Sequence, residues 1–295
     1  MANLKEVRVR IDSVNSTQQI TSAMKMVSAS KLRKAQNAIL TMRPYAAKLT
    51  EIMQNISANL DGSVESDYTQ TRENERVLII GVASNRGLCG PFNANVGKAI
   101  IKRIDETYSL QYKSGNVEIF TIGKKLFDFL KARKFKVDHR KDELLDHLSF
   151  NETLPVAEEL MKDFVERKYD HIEIIYNQFK NAAVQILQTE EFLPVGQKEE
   201  QQPELSALKV DFIFEPSKEE IVTELIPKSL KIQFYKALLD SVASEHGARM
   251  TAMHKATDNA QEMLKELKLS YNKARQAAIT NEILEIVSGA EALNG

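Results

Sequence analysis

The last third of the chain carries an uninterrupted heptad pattern. No proline follows Pro227, so no later residue lacks the backbone donor that a helix requires. Apolar or small residues recur at alternating steps of three and four, the spacing of a helix wound against another helix. These positions are Leu239, Ala243, His246, Met250, Met253, Thr257, Ala260, Leu264, Leu267, Tyr271, Ala274 and Ala278. About 60 helical residues form a rod of about 90 Å, whereas a compact chain of this length has a radius of gyration of about 19 Å, so we expect this helix to protrude.

A matching pattern opens the chain. Asn3 followed by Glu6 predicts a helix N-cap with its capping-box partner. The first seam, and a second register after the bend expected at Pro44, comprise Leu4, Val7, Ile11, Val14, Gln18, Thr21, Lys25, Ser28, Leu32, Ala35, Ile39 and Met42, then Ala46, Leu49, Met53, Ile56 and Leu60. Gly62 follows as a plausible C-cap. The pattern therefore predicts a first long helix over residues 1–60.

The segment between the two helices alternates predicted strands with predicted helices, as an α/β domain does. Residues 77–83 form a continuous apolar run, typical of a strand buried on both faces. The remaining predictions are polar linkers over 61–76 and 194–207, helices over 94–110, 124–134 and 155–167, and strands over 117–122, 171–177, 183–190 and 211–214. A tight turn near residues 180–181 makes the strand over 183–190 antiparallel to its predecessor.

Together these elements predict a small doubly wound, mostly parallel α/β domain over 77–209, inserted between the helix over 1–60 and a second helical segment over 210–295. Both helices leave the inserted domain from the same place, so they run antiparallel as a coiled coil. The second helix is the longer one. Its end, from about Arg275 onward, is therefore expected to extend alone past residue 1.

Charge and composition limit the classes of function. The net charge is −1, which does not suggest nucleic-acid binding. Residues 1–60, however, hold nine Lys and Arg against three acidic residues, so we expect this helix to bind an acidic partner. A single cysteine excludes an internal disulfide and fits a reducing compartment. We expect no signal or transit peptide, and the longest apolar run, 77–83, is too short to cross a bilayer.

The strongest candidate for a ligand site is the turn at residues 84–93, SNRGLCGPFN. A glycine-rich loop between strand and helix can hold phosphate, but neither dedicated nucleotide-binding signature is present. A tight docking turn that exposes Arg86 and Cys89 is the favoured interpretation. The histidines show no pairing with this thiol and no metal-ligand spacing. We therefore predict no catalytic residue, no cofactor and no metal.

The first helix departs from an ordinary coiled coil at its middle. Its seam there holds Gln18, Thr21, Lys25 and Ser28 in place of leucines. Each buried leucine would contribute about 1.5–3 kcal/mol and would hold one orientation of a surrounding protein. Small side chains with a belt of positive charge suit a shaft that turns within a partner. A structural coiled-coil adaptor remains an alternative interpretation of the same pattern.

Four separated motifs resemble the γ-subunit family of F-type ATP synthases, in its bacterial form. They are STQQITSAMKMVSASKLRKA at 16–35, SNRGLCG at 84–90, SEHGARMTAMHKATDN at 244–259 and YNKARQAAITNEILEIVSGA at 271–290. The resemblance spans the whole chain and implies a non-catalytic rotor. Its implied partners are the alpha and beta subunits, whose hexamer surrounds the shaft and owns the nucleotide sites, the epsilon subunit, and the ring of c subunits. The implied location is the cytoplasmic face of the bacterial inner membrane, with membrane contact only through the complex.

The resemblance also implies partner-contact residues in three regions. The basic first-helix surface would meet an acidic lever of the beta subunit, the exposed turn would form a second contact near that lever, and the last helix would catch a beta-subunit loop and supply an apolar bearing. In that order the residues are Met24, Lys25, Lys31, Arg33 and Lys34, then Arg86 and Cys89, then Arg275, Gln276, Ile279, Ile283, Ile286 and Val287.

Two residues depart from what these patterns lead us to expect. Asn85 stands where the family usually has aspartate, and Gly247 lies inside the long helix, at a cost of about 1 kcal/mol relative to alanine. The glycine is either a torsional soft point or a place of close helix approach. A stand-alone phosphate-binding α/β protein with coiled-coil dimerisation arms is the alternative function.

Overall fold

Two long helices bound the described chain. The computed structural model describes residues 4–58, 67–70, 72–73, 75–195 and 218–294. Helix α1 (Leu4–Ala58) has 55 residues and continues through Pro44, and helix α6 (Lys218–Asn294) has 77 residues. Both predicted long helices are confirmed. The caps proposed at Asn3 and Gly62, most of the two linkers and the strand over 211–214 lie outside the described residues.

The chain divides into two compact units, and each division falls inside a long helix. The first unit joins the chain up to Ala29 with the chain from Arg249 onward, and the second runs from Ser30 to Ala248. The domain boundaries placed at residues 60, 76 and 209 stay predictions.

The first unit is an antiparallel helix pair. The hydroxyl oxygens of Thr21 and Thr257 lie 2.9 Å apart, and Lys25 Nζ lies 3.4 Å from His254 Nδ1. As the position on α1 rises, the position of its neighbour on α6 falls, which confirms the antiparallel prediction. Every predicted seam position of α1 from 4 to 42 is buried or half-buried. The heptad spacing therefore located the face that packs.

The second unit contains a five-stranded sheet. The strands are β1 (Val77–Val82), β2 (Val117–Ile122), β3 (His139–Arg140), β4 (His171–Phe179) and β5 (Gln185–Leu193). Their order is β3-β2-β1-β4-β5, parallel except for the antiparallel pairing of β4 with β5. The mostly parallel sheet and its one antiparallel strand are confirmed.

Helices cover both faces of this sheet. Side chains alternate along a strand, so Val77 and Ile79 pack with α2 (Phe92–Glu106) and α4 (Lys124–Ala132). Leu78 and Ile80 face the other way, toward α5 (Phe150–Val165) and the first turns of α6. A strand buried on both faces needs apolar residues at every position. The run VLIIGV meets that need, and the doubly wound architecture is confirmed.

The short elements and one helix start differ from the sequence prediction. Helix α5 begins at Phe150 because the Ser149 hydroxyl caps it, accepting a bond from the Glu152 backbone N–H at 3.3 Å. The predicted start at Pro155 lies inside the helix. Helix α3 (Ser109–Lys113), strand β3 and a 3₁₀ turn at Glu143–Leu145 were not predicted, since elements of two to five residues carry no readable period.

Helix α6 passes over the carboxyl ends of the central strands. The Ser241 hydroxyl lies 3.5 Å from the Val82 carbonyl oxygen at the end of β1. A β-carbon on Gly247 would lie 3.2 Å from both the α-carbon and the carbonyl oxygen of Ala182, in the β4–β5 turn. Gly247 therefore permits close approach of the helix to that turn, which is one of the two roles that the sequence analysis offered.

A buried ionic cluster ties α2 to the amino end of β4. Glu173, only 2% exposed, accepts bonds from Arg103 Nε at 2.9 Å and from the Tyr108 hydroxyl at 2.6 Å. His171 Nε2 lies 3.0 Å from the same carboxylate. Burial alone would raise the pKa of Glu173, but the hydrogen bonds from His171, Arg103 and Tyr108 outweigh it and lower the pKa to about 2. Burial and the Glu173 bond raise the pKa of Tyr108.

We predict that Glu173→Gln destabilises the chain in a pH-dependent way. A carboxyl with a lowered folded pKa contributes stability above its unfolded pKa, near 4.5, and loses it as the pH falls toward about 2. The variant should be less stable by about 3 kcal/mol at pH 7, and the difference should shrink below pH 4.5. Urea unfolding of both proteins across this range measures it. A difference independent of pH would contradict the prediction.

Candidate partner-binding surfaces

In the first unit, the middle of α1 presents apolar side chains outside the seam. Met24 and Lys25, predicted to meet a partner, are half-buried. Met26 and Val27 are 65% and 57% exposed, and Ile20 is 60% exposed. The sequence analysis missed these three. They could have been recognised from the sequence, because they are large apolar residues at positions that the heptad repeat leaves facing solvent.

In the second unit, α1 continues with three exposed cations around a buried seam. Lys31, Arg33 and Lys34 are exposed, while the neighbouring seam residues Leu32 and Ala35 are buried. None of the three cations pairs with a carboxylate among the residues that the structure describes. Their charge is therefore available to an acidic partner, as the excess of Lys and Arg in this helix predicted.

The turn after β1 exposes Arg86 but buries Cys89, so the predicted exposure of this thiol is wrong. Cys89 is 1% exposed and packs with Phe92 and Val96. Its sulfur accepts a bond from Asn93 Nδ2 at 3.2 Å. The thiol faces inward because α2 begins directly after the turn and brings the Asn93 amide to it. The Cys89 side chain therefore cannot itself reach a partner.

The place where a doubly wound fold normally holds a nucleotide is occupied by the chain itself. In such folds ligands bind beyond the carboxyl ends of the strands, at the point where strand order reverses. Here that point lies between β1 and β4. Ser241 of α6 lies against Val82 at the end of β1, and Gly247 lies against the turn that follows β4. This packing argues against the alternative of a stand-alone phosphate-binding protein.

Two further site classes find no support within the described ranges. There, no three His, Cys, Asp or Glu side chains gather closely enough to bind a metal ion. No described helix has a stretch long and apolar enough to cross a membrane.

The end of α6 has no packing partner among the described residues of the first unit. Arg275 and Gln276 are exposed, as is every residue from there through 290. The predicted bearing residues Ile279, Ile283 and Ile286 are 48%, 55% and 67% exposed. Val287 is 49% exposed, and Leu284, which the sequence analysis did not name, is 59% exposed. A run of exposed aliphatic side chains on one helix indicates a surface for another protein.

Comparison with known proteins gives the chain its family. A family model described as ATP synthase matches residues 3–293. The ATP synthase gamma chain of Flavobacterium johnsoniae is 61% identical over 295 residues and is covered completely, as is this chain. That of Cytophaga hutchinsonii is 56% identical over 294 residues, again with complete coverage of both. The chain belongs to the ATP synthase gamma-chain family.

A solved structure shows the same fold as this gamma-chain family member. A chain in the Euglena gracilis mitochondrial ATP synthase, in a structure of OSCP, F1 and c-ring, matches with a TM-score of 0.70 and 21% identity. The match covers 98% of this chain and 94% of that one. Two long helices flanking a mostly parallel sheet are thus a shared architecture.

Asn85, the departure from the expected gamma-chain aspartate, has a local structural role. Its Nδ2 donates to the Asp142 carbonyl oxygen at 2.9 Å and to Asp146 Oδ1 at 3.2 Å. Its Oδ1 accepts from the Lys124 backbone N–H at 3.1 Å, at the start of α4. The amide thus joins the turn after β1 to the segment around Asp142 and Asp146 and to the start of α4. Each of these hydrogen bonds pairs one donor with one acceptor. A carboxylate at this position would place negative charge against Asp146.

We therefore predict that Asn85→Asp weakens the fold by about 1–2 kcal/mol at pH 7, since two acceptors would lose their donor. Adding Asp146→Asn should recover part of the loss, because an amide at 146 can donate to the new carboxylate. Urea unfolding of the single and double variants measures both effects. No recovery in the double variant would contradict this account of the turn.

Proposed function

We propose that this chain is the central rotor shaft of the F1 sector of an ATP synthase. In this role it couples transmembrane proton flow to ATP synthesis or hydrolysis by rotating inside a hexamer of alpha and beta subunits. The full-length match to the gamma-chain family carries the proposal. The nucleotide sites belong to the hexamer, so the chain itself catalyses no reaction.

The proposal includes three sets of contacts outside the chain. The shaft contacts the alpha and beta subunits, and the α/β domain binds the epsilon subunit and the c-ring. The complex places the chain at the cytoplasmic face of the bacterial inner membrane as a peripheral subunit. The description of the Euglena gracilis structure includes F1 and the c-ring, which supports the proposed contacts with both.

The exposed surfaces suit these contacts. Exposed Lys31, Arg33 and Lys34 are complementary to an acidic beta-subunit lever, and Arg86 extends this chemistry to the turn after β1. Arg275 and Gln276 can donate hydrogen bonds to a beta-subunit loop. The apolar bearing consists of Ile279, Ile283, Ile286 and Val287.

The seam in the middle of the shaft is packed by small polar side chains in place of leucines. Thr21 and Ser28 are buried in the seam at 9% and 3% exposure, opposite a face that includes Met253 and Ala260. Their small polar side chains contribute less burial energy than leucine would. The two helices are therefore joined by fewer apolar contacts at this level, while the surface that a surrounding ring would meet includes the exposed Ile20, Met26 and Val27.

Purification tests the proposal directly. The chain mixed with the alpha and beta subunits should form a stoichiometric complex with cooperative ATP hydrolysis. Failure of the chain to co-purify with those subunits would refute the rotor assignment.

Leucines in the mid-shaft should slow the motor without preventing its assembly. Gln18→Leu combined with Lys25→Leu adds two apolar side chains at half-buried seam positions, and the exposed part of each can be buried against the hexamer, with about 1.5–3 kcal/mol as the upper bound for a whole side chain. We expect normal co-purification and severalfold slower ATP turnover. A structural adaptor would tolerate both changes, so unchanged turnover would favour that alternative.

Truncation of the bearing should act in the opposite way, by weakening retention of the shaft. Ile283→Ala with Ile286→Ala removes aliphatic surface worth about 1.5–3 kcal/mol for each side chain that the complex buries. We expect faster loss of the chain from the purified complex, measured by dilution followed by gel filtration. Leu269→Ala is the matched control, since this side chain is 64% exposed on the same helix but lies before the unpaired end. Equal effects of the two variants would contradict the bearing assignment.

A further inference from the structure

Two glutamates face each other across β4 and β5. Glu173 of β4 lies directly opposite Glu191 of β5 in the sheet register, next to an irregularity between Ile172 and Glu173. Glu173 is buried, and the Glu191 side chain is 41% exposed. Like charges directly opposite each other on neighbouring strands repel and destabilise the pairing. This pair of strands therefore needs positive charge between the two carboxylates.

Arg103 compensates one of these two negative charges. Its Nε donates to Glu173 at 2.9 Å from the α2 side of the sheet. The Tyr108 hydroxyl also donates to Glu173, but it adds no charge, because burial and this bond raise the pKa of the phenol. One guanidinium against two carboxylates leaves a net negative charge between β4 and β5.

His171 lies between the two glutamates, with one ring nitrogen against each. Its Nε2 lies 3.0 Å from Glu173 Oε1, and its Nδ1 lies 3.4 Å from Glu191 Oε1. A neutral imidazole has one donor nitrogen and one acceptor nitrogen, so one lone pair would face a carboxylate. An imidazolium instead presents a proton to both carboxylates and cancels the remaining negative charge.

The other groups around His171 do not change this charge balance among the described residues. Its backbone N–H donates to the Arg76 carbonyl oxygen at 3.2 Å, and the Arg76 side chain pairs with Asp170, where Nε lies 3.3 Å from Oδ2. The uncharged Tyr108 ring has its centre 6.1 Å from that of the imidazole. The two glutamates are therefore the groups that determine the proton count of His171.

We propose that His171 carries a proton on both ring nitrogens at neutral pH and acts as a proton-dependent clasp between β4 and the carboxyl end of β5, a role that does not depend on the proposed function. Loss of one proton as the pH rises restores the repulsion, so the clasp is closed at neutral pH and opens at alkaline pH. The Glu191 backbone carbonyl also accepts a bond from Gln233 Nε2 of α6 at 3.2 Å. The clasp therefore acts where the sheet meets the long helix.

Nitrogen NMR of the full-length chain, labelled at histidine, measures the proton count. At about pH 7.5, above the pH near 6.5 where an ordinary histidine loses its proton, the His171 ring should still show two protonated nitrogens. It should lose one of them at a higher pH than His139, whose Nε2 lies 3.0 Å from Glu118 on a more exposed ring. The His171 signal is the one that persists whichever other histidine is replaced by glutamine. An unprotonated nitrogen on His171 at that pH would overturn the proposal.

Hydrogen exchange of the full-length chain measures the opening of the clasp. From about pH 7 to about pH 9, the protection of the backbone amides at 190–193 should fall about three- to tenfold after correction for intrinsic exchange, since a half-exposed ion pair contributes less than a buried one. The amides at 185–188, on the same strand, are the control and should keep their protection. Equal loss along the whole of β5 would contradict a clasp at His171.

Glu191→Gln separates the clasp from the fold around it. The new amide removes the repulsion and can donate to an unprotonated Nδ1, so the variant should fold and its protection at 190–193 should no longer depend on pH. Glu190→Gln is the matched control, because Glu190 accepts from the Tyr176 hydroxyl at 2.8 Å on the other face of the sheet. This control should keep the pH dependence. A pH dependence that persists in Glu191→Gln would refute the clasp, and because no other subunit is present, the rotor assignment would stand.

Discussion

The packing of α6 against the sheet is the interaction on which the rest of the second unit depends. Phe234 and Leu238 are fully buried in the core that also contains α5 and alternate residues of β1. A few residues later, Ser241 reaches the end of β1, and Gly247 lets the helix approach the β4–β5 turn. A helix held in this way cannot turn about its own axis without exposing those side chains, at about 1.5–3 kcal/mol for each large one. The sheet and this part of α6 therefore move as one body.

The burial of α6 side chains decreases along the helix, from the α/β core toward its carboxyl end. Large apolar residues such as Phe234 are buried where the helix completes the α/β core. In the first unit the buried positions of α6 are fewer, and its buried apolar residues are Met253, Ala260 and Leu264. From Arg275 through residue 290 every side chain is exposed. Along one continuous helix, many buried positions are followed by few and then, from 275 to 290, by none, which suits the proposed shaft.

Periodic features were predictable from the sequence, and features set by tertiary contacts were not. The heptads located the seam because a helix repeats its packing face every three or four residues. The apolar run VLIIGV predicted a strand buried on both faces. The orientation of Cys89 was mispredicted because it depends on the amide of Asn93, which only the fold places beside it. The positive φ of Leu88 could not be predicted from the sequence, because leucine does not favour this conformation. The exposed Met26 could have been found by asking which large apolar residues the heptad leaves unexplained.

The charges of the second unit divide into two kinds with different physical consequences. Buried Glu173 accepts a hydrogen bond from Arg103, so the attraction between these two charges stabilises the fold itself. Lys31, Arg33 and Lys34 have no carboxylate partner among the described residues and face solvent. Exposed charges of this kind act over about 8 Å at physiological ionic strength and weaken as salt is added. The buried pair stabilises the α/β domain, whereas the exposed cations gain electrostatic energy only when an acidic surface comes near, as the proposed contacts with the beta subunit require.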